Sequence, residues 1–347
     1  MRMRCTLAAV TLVAAAHAGA QAPTEPHLAP LFTSEAPLTI TLTANLKRLR
    51  GDRNDQAPWR AGTFTYTGAD GKPATVSARL RTRGIWRLKH CEFPPLRVDV
   101  DGKTSKHTLL DKLGKPKLVS YCRNNDQYEQ YVLQELQIYR VYRLLTPASH
   151  HVRLLRTTYT DSATGKAETT RWAFLVEDVA DVAKRLDGIA IEQKGGGPGS
   201  FDPYGTALAF VFQYMIGNTD FSFSGLHNAE IVASKDGARI TPIAYDFDFA
   251  GAVDASYATV DPVLSIKKVR ERQFRGYCAS AAEYPKVFEH FRQQKDAIYA
   301  LYRDEIGQLL SPRTVKETLA YFDEFYATIA NQRTAERVML SSCVGPR

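Results

Sequence analysis

Several signatures are missing from this 347-residue chain, and each absence removes a class of protein. It has only five cysteines, with no Cys-x-x-Cys pair and no His/Cys cluster, so a structural zinc site is excluded. No Gly-x-Ser-x-Gly occurs, which argues against a nucleophile-elbow hydrolase. No apolar run approaches the ~20 residues a membrane helix needs. Internal repeats are absent, and lysine and arginine are dispersed rather than gathered on one basic face, so no nucleic-acid partner is expected. What remains is an ordinary globular composition, 44% hydrophobic, 24% charged and 10% aromatic. The net charge of +8 is a moderate bias toward anionic ligands.

The N-terminus reads as a secretion signal. Arg2 and Arg4 precede a run from Leu7 to Ala16 that is apolar except for Thr11, and Ala18-Gly19-Ala20 forms a small-residue cleavage site. A signal peptide is therefore expected over 1–20, with a periplasmic or secreted product starting at Gln21. Cys5 leaves with it, so Cys91, Cys122, Cys278 and Cys343 remain, an even number in an oxidising compartment with three possible pairings. The first two flank one strand-rich segment and the last two share the C-terminal half, which favours Cys91 with Cys122 and Cys278 with Cys343.

Residues 21–36, rich in Pro, Ala and Thr, read as a linker. From 37 to 177 the pattern is mainly strands: Thr39 to Thr43, Thr63 to Tyr66, Ala74 to Leu80, Leu96 to Val100, Lys117 to Tyr121, Val152 to Tyr159 and Trp172 to Val176. One long helix interrupts them. Tyr128, Val132, Leu136, Tyr139 and Tyr142 recur at helical spacing between Asp126 and Leu145, and Thr146-Pro147 ends the run. From 178 to 347 helices dominate, expected at Val179 to Leu186, Gly205 to Met215, Glu283 to Leu310 and Arg313 to Leu340. The run Gly195 to Gly199 lacks a following Lys-Ser/Thr and contains Pro198, so it reads as a loop rather than a phosphate cradle.

The chemistry concentrates between Gly217 and Gly251. Asp236-Gly237 between two apolar runs is a two-residue hairpin signal, and antiparallel pairing about that turn sets Asn228 opposite Tyr245, beside Asp246. Asp220 lies eight residues before Asn228 on a loop leaving a helix. Asp220, Asn228, Asp246 and Asp248 can thus converge at one end of a hairpin. Such an all-oxygen set suits Mg²⁺ or Mn²⁺. Asp246 and Asp248 interrupt an otherwise apolar run, where unpaired charge is costly, so something must neutralise them. His227 has no second histidine or carboxylate at ligand spacing and reads as structural or substrate-facing.

These motifs carry a resemblance. Asn218-Thr-Asp220 and Tyr245-Asp-Phe-Asp248 resemble the Asn-x-Asp and Trp-Asp-x-Asp of the spore-coat-protein-H-like (CotH) atypical kinases. Arg83-Gly-Ile-Trp86, Pro95-Leu-Arg97-Val98, Lys117-Leu-Val-Ser120 and Trp172 to Glu177 are similar to further motifs of that family, with a weaker likeness to the HipA toxin kinases. The resemblance implies an α+β, two-lobed protein-kinase-like fold, with a strand-rich N-terminal lobe and a helix-rich C-terminal lobe. It implies phosphoryl transfer from ATP or another nucleotide to a protein or small hydroxyl acceptor. Asp220 would be the catalytic base, Asn228 and Asp246 metal ligands, and Asp248 a second or alternative ligand. Lys117 would contact nucleotide phosphates and pair with Glu135, or else Glu129. Glu177 would sit at the adenine or ribose, and Arg83 and Arg97 also fall on the nucleotide side. The sequence departs from the kinase pattern in two places: the Asp220–Asn228 spacing requires the loop to bulge, and Arg87 and Lys89 stand where a Gly-rich phosphate cover belongs. The rival expectation is a non-catalytic, pseudokinase-like envelope binding or structural protein.

Overall fold

Ten strands and nine helices make up the described part of this computed structural model, which covers residues 27–345 except positions 55 and 69. The expected signal peptide lies outside those residues. The strands are β1 (Leu38–Ala44), β2 (Arg60–Thr67), β3 (Pro73–Thr82), β4 (Leu96–Val100), β5 (Lys117–Val119), β6 (Val152–Asp161), β7 (Ala167–Val176), β8 (Gly188–Ile191), β9 (Ala229–Ser234) and β10 (Ile240–Ala244). The helices are α1 (Leu46–Gly51), α2 (Trp86–His90), α3 (Gly102–Ser105), α4 (Asp126–Leu145), α5 (Val179–Arg185), α6 (Pro203–Ile216), α7 (Tyr284–Ala300), α8 (Pro312–Ala330) and α9 (Gln332–Ser341).

The first seven strands close into a barrel, in the order β1-β2-β3-β4-β5-β7-β6. Neighbours are antiparallel except at the seam, where β1 runs parallel to β6 with Leu38 against Leu155 and Ala44 against Asp161. This closure overturns the two-lobed protein-kinase-like fold that the motifs implied. The molecule is mixed α+β, but its strand-rich part is a closed seven-stranded barrel, which leaves no open sheet edge where an open sheet would have two.

Side-chain alternation explains why this barrel is covered on one flank. Leu118, Leu155, Tyr159 and Leu175 point into the barrel core with Leu42, Phe64, Leu80, Phe93 and Val98. The alternate residues Val119, Leu154, Phe174 and Val176 face outward into a second core, built by α4, α6, α7 and α8. Strands β5, β6 and β7 are therefore apolar on both faces, and α4 lies against β6 and β7. Helix α4 forms exactly where the sequence periodicity puts it, capped by Asn125 Oδ1, which accepts from Tyr128 N at 3.1 Å. The boundary at Glu177 follows the last barrel strand, but the β8, β9 and β10 sheet lies beyond it, and α4, which precedes it, belongs to the helical core. The segment read as a linker holds a 3-10 turn, Pro30–Thr33, whose Leu31 and Phe32 are buried in the barrel core. The long helix expected at Arg313 to Leu340 breaks at Asn331, which caps α9.

A three-stranded sheet, β10-β9-β8, packs with α5 through Val182, Val232 and Ile243. Its hairpin has the expected register, Ala229 against Ala244, and Tyr245 N donates to Asn228 O at 3.2 Å. Both expected disulfides are present, Cys91–Cys122 and Cys278–Cys343. They fit a chain that folds in an oxidising compartment. No helix among the described residues is long and apolar enough to cross a membrane.

Candidate functional site

Helix α6 ends at Gly217, whose φ of +65° only a residue without Cβ takes up easily, and here Tyr321 Oη fills the place a Cβ would need. The chain then turns through buried Asn218, whose Oδ1 accepts from Asp220 N at 3.0 Å while Nδ2 donates to Gln213 Oε1 at 3.0 Å. Between Asp220 and Asn228 a small loop closes on itself, Ser222 N donating to His227 O and His227 N to Ser222 O. That closed loop is the bulge the eight-residue spacing required. Asn228 and Asp246 both adopt left-handed backbone, with φ of +46° and +62°, at the open end of the hairpin. Asn and Asp tolerate this region better than most residues, and it aims both side chains into one cleft.

The cleft has a volume of about 480 Å³. Asp220, His227, Asn228, Asp246 and Asp248 line it together with Arg83 and Arg87, and Trp86, Leu226 and Phe249 supply apolar surface. A larger concavity of about 680 Å³ lies over β2, β3 and β4. It offers one exposed Arg79–Asp99 pair and no convergent set, so the chemistry belongs to the smaller cleft.

Asp220 Oδ1 accepts from His227 Nε2 at 2.8 Å, and Asn228 Nδ2 donates to Asp220 Oδ2 at 3.0 Å and to Asp220 O at 2.7 Å. The carboxamide nitrogen of Asn228 is thereby engaged, which leaves its Oδ1 as the atom able to ligate. Deeper in, one guanidinium meets three carboxylates. Arg87 Nη2 lies 2.5 Å from Asp246 Oδ1, Nη1 3.2 Å from Glu135 Oε2 and Nε 3.3 Å from Asp248 Oδ2. Tyr257 Oη donates to Asp248 Oδ2 at 3.0 Å, and Asp246 N donates to Tyr139 Oη at 2.8 Å.

Burial and charge pull these carboxyls apart. Burial pushes Glu135 up to about 8, with Arg87 opposing and Asp248 and Asp246 adding to the rise. Burial likewise raises Asp248 to about 6 against the pull of Arg87. Burial would raise Asp246 too, but Arg87 and then Arg83 outweigh it and hold the group below its usual value. Of the three, Asp246 is therefore the one whose charged form its surroundings favour. Oxygens of Glu135, Asp246 and Asp248 all lie within 4.8 Å of one another, and Glu135 Oε1 is buried with no hydrogen-bond partner. This all-oxygen donor set with an orphaned oxygen fits a hard divalent cation.

The expected nucleotide-side residues divide. Arg83 lines the cleft, 3.7 Å from Asp246. Lys117 does not pair with Glu135 or Glu129. It pairs instead with Glu230 on β9 at 2.8 Å, with its ammonium over the Tyr245 ring. Glu230 Oε2 lies 2.9 Å from buried His150 Nε2. Glu135 is instead the partner of Arg87, and Glu129 holds Arg156 and the Trp172 backbone. Glu177 is 1% exposed, bound by both Arg185 and His151 N, so it is a structural anion rather than a ribose contact. Arg97 turns to Asp178, 3.2 Å away. Arg87, Glu230, His150 and Tyr257 were not assigned site roles from sequence. Only Arg87 carried a signal, a basic residue where a phosphate cover belongs.

No family model matches this chain, and no curated protein matches it significantly.

Proposed function

We propose that the cleft binds a nucleotide with Mg²⁺ or Mn²⁺ and transfers a phosphoryl group to the hydroxyl of a protein or small-molecule acceptor, in a periplasmic or secreted protein. The observation that carries this reading is the convergence of Asp220, Asn228, Asp246 and Asp248 with Arg83 and Arg87 in a single cleft. The likeness of the Asn-x-Asp and Tyr-Asp-x-Asp segments to the spore-coat-protein-H-like kinases supports it at the level of motifs, not of fold. Asp220 accepts the proton of the acceptor hydroxyl, and His227 Nε2, 2.8 Å away, orients it. Arg83 and Arg87 receive phosphate oxygens. Asn228, Asp246 and Asp248 hold the cation, which when bound neutralises phosphate charge. A second reading, a non-catalytic binding protein, is favoured by the Arg87 guanidinium already neutralising the acidic cluster.

The test is calorimetric and thermal titration with a non-hydrolysable ATP analogue, with and without Mn²⁺. Saturation at 100-fold above Kd stabilises the native state by about 2.7 kcal/mol, enough to raise Tm visibly. Asp246→Asn is expected to fold and lose the metal-dependent part of binding, and Asp248→Asn to lose less. Unchanged titrations in Asp246→Asn would refute its role as a ligand.

A further inference from the structure

The Arg87 guanidinium sits among the three carboxyl groups whose oxygens lie within 4.8 Å of one another. Its three nitrogens reach Glu135, Asp246 and Asp248 separately, one carboxylate each, at 3.2, 2.5 and 3.3 Å. These carboxylates come from two places that the fold alone brings together: Glu135 from α4, and Asp246 and Asp248 from the turn after β10. Three carboxyl groups face one guanidinium, and Arg83 stands 3.7 Å from Asp246. Glu135 Oε1 remains buried and unpartnered, an expensive state for a carboxyl oxygen in a low-dielectric interior. Two hydroxyls also hold the turn after β10: Tyr257 Oη donates to Asp248, and Tyr139 Oη accepts from the Asp246 amide.

We infer that Glu135, Asp246 and Asp248 form a divalent-cation site for which Arg87 is an internal substitute, and that Mn²⁺ or Mg²⁺ enters by displacing the guanidinium into the cleft. Glu135 thereby becomes a ligand, its free Oε1 included. This deepens the reading of the cleft as a cation site but does not depend on phosphoryl transfer. A compact divalent ion supplies twice the charge of a guanidinium and satisfies the orphaned oxygen, which the planar guanidinium leaves unmet. The displaced Arg87 has somewhere to go, because it already lines the cleft where phosphate oxygens are received. Its segment can yield at one end: α2 has no side-chain N-cap, follows Gly84 at φ +99°, and starts beside Ile85, which is 70% exposed. The other end is fixed by Cys91, disulfide-bonded to Cys122.

The experiment uses the full chain and Mn²⁺ alone, with bound metal counted by electron paramagnetic resonance and Tm followed in parallel. Wild type is expected to bind Mn²⁺ and gain Tm. Arg87→Gln is expected to lose Tm without metal, yet bind Mn²⁺ at least about tenfold tighter, because the competing internal cation is gone. Glu135→Gln is expected to bind at least about tenfold more weakly. If Arg87→Gln fails to fold, Arg87→Lys, a point charge that cannot reach all three carboxylates, takes its place and is expected to bind more tightly than wild type. Weaker or equal Mn²⁺ binding in the folded Arg87 variant, or unchanged binding in Glu135→Gln, overturns the inference. Metal-dependent nucleotide binding alongside unchanged Mn²⁺ affinity in both variants would sink this site and leave phosphoryl transfer standing. The expected Mn²⁺ pattern with no nucleotide binding would do the reverse.

Discussion

At the scale of single residues, the molecule separates charges that hold the fold from charges that face the cleft. Glu177 belongs to the first group. Its two oxygens take Nε and Nη2 of Arg185, both at 2.9 Å, and the His151 amide, and both members of the pair are almost fully buried. Removing one partner of a buried pair leaves the other uncompensated and costs about 3–5 kcal/mol. Glu177→Gln should therefore lower denaturation stability by that order while leaving nucleotide affinity of the folded fraction unchanged. A selective loss of nucleotide binding at unaltered stability would return Glu177 to the cleft. The sequence alone could not make this distinction. A glutamate closing an apolar strand looks the same whether it meets a ribose or an arginine eight residues later. Asp246 and Asn228 were legible for the opposite reason: the Asp236-Gly237 turn fixes the register, and a register is local.

Among elements, α4 connects most of the account. Its periodicity was readable to the residue because 20 residues of one pattern average out ambiguity. Its partners were not, because they are long-range. Buried Arg140 on α4 bonds Glu35 near the N-terminal end of the described chain and Asp304 after α7, pinning the helix that carries Glu135. Burial raises the Asp304 carboxyl, but hydrogen bonds from Arg140 and the Gly307 amide outweigh it and hold the group below its ordinary value of 3.8. With the folded value depressed, the unfolded chain binds more protons between that value and 3.8. The stabilisation is then complete above about 3.8 and is lost as pH falls through the folded value. The stability gap between wild type and Asp304→Asn should follow the same course in denaturant titrations across pH. A gap that persists undiminished below that window would mean the contact acts through packing rather than charge.

For the whole molecule, the decisive event is closure. Every strand of the barrel overlaps a segment that reads as a strand, and the alternating cores follow from their patterns. What could not be read is that β6 returns parallel to β1, a pairing between segments more than a hundred residues apart with no turn to dictate it. That single seam separates a closed barrel from an open sheet, and the motifs resembling kinases carried no information about it. The same closure sets β6 and β7 as the wall on which α4 rests, while the segment from Arg83 to Arg87 and the turns flanking the β9-β10 hairpin frame the cleft. The central claim is that this frame assembles a site for phosphoryl transfer in which Asp220 is the base. Label transfer from γ-labelled ATP with Mn²⁺ to the protein itself or to envelope extracts tests it most directly, comparing wild type with Asp220→Asn at matched nucleotide occupancy. Transfer by wild type, lowered on the order of 10²–10⁴-fold in Asp220→Asn with binding retained, is the predicted result. Equal transfer by both proteins, or nucleotide binding without any transfer by wild type, would contradict it.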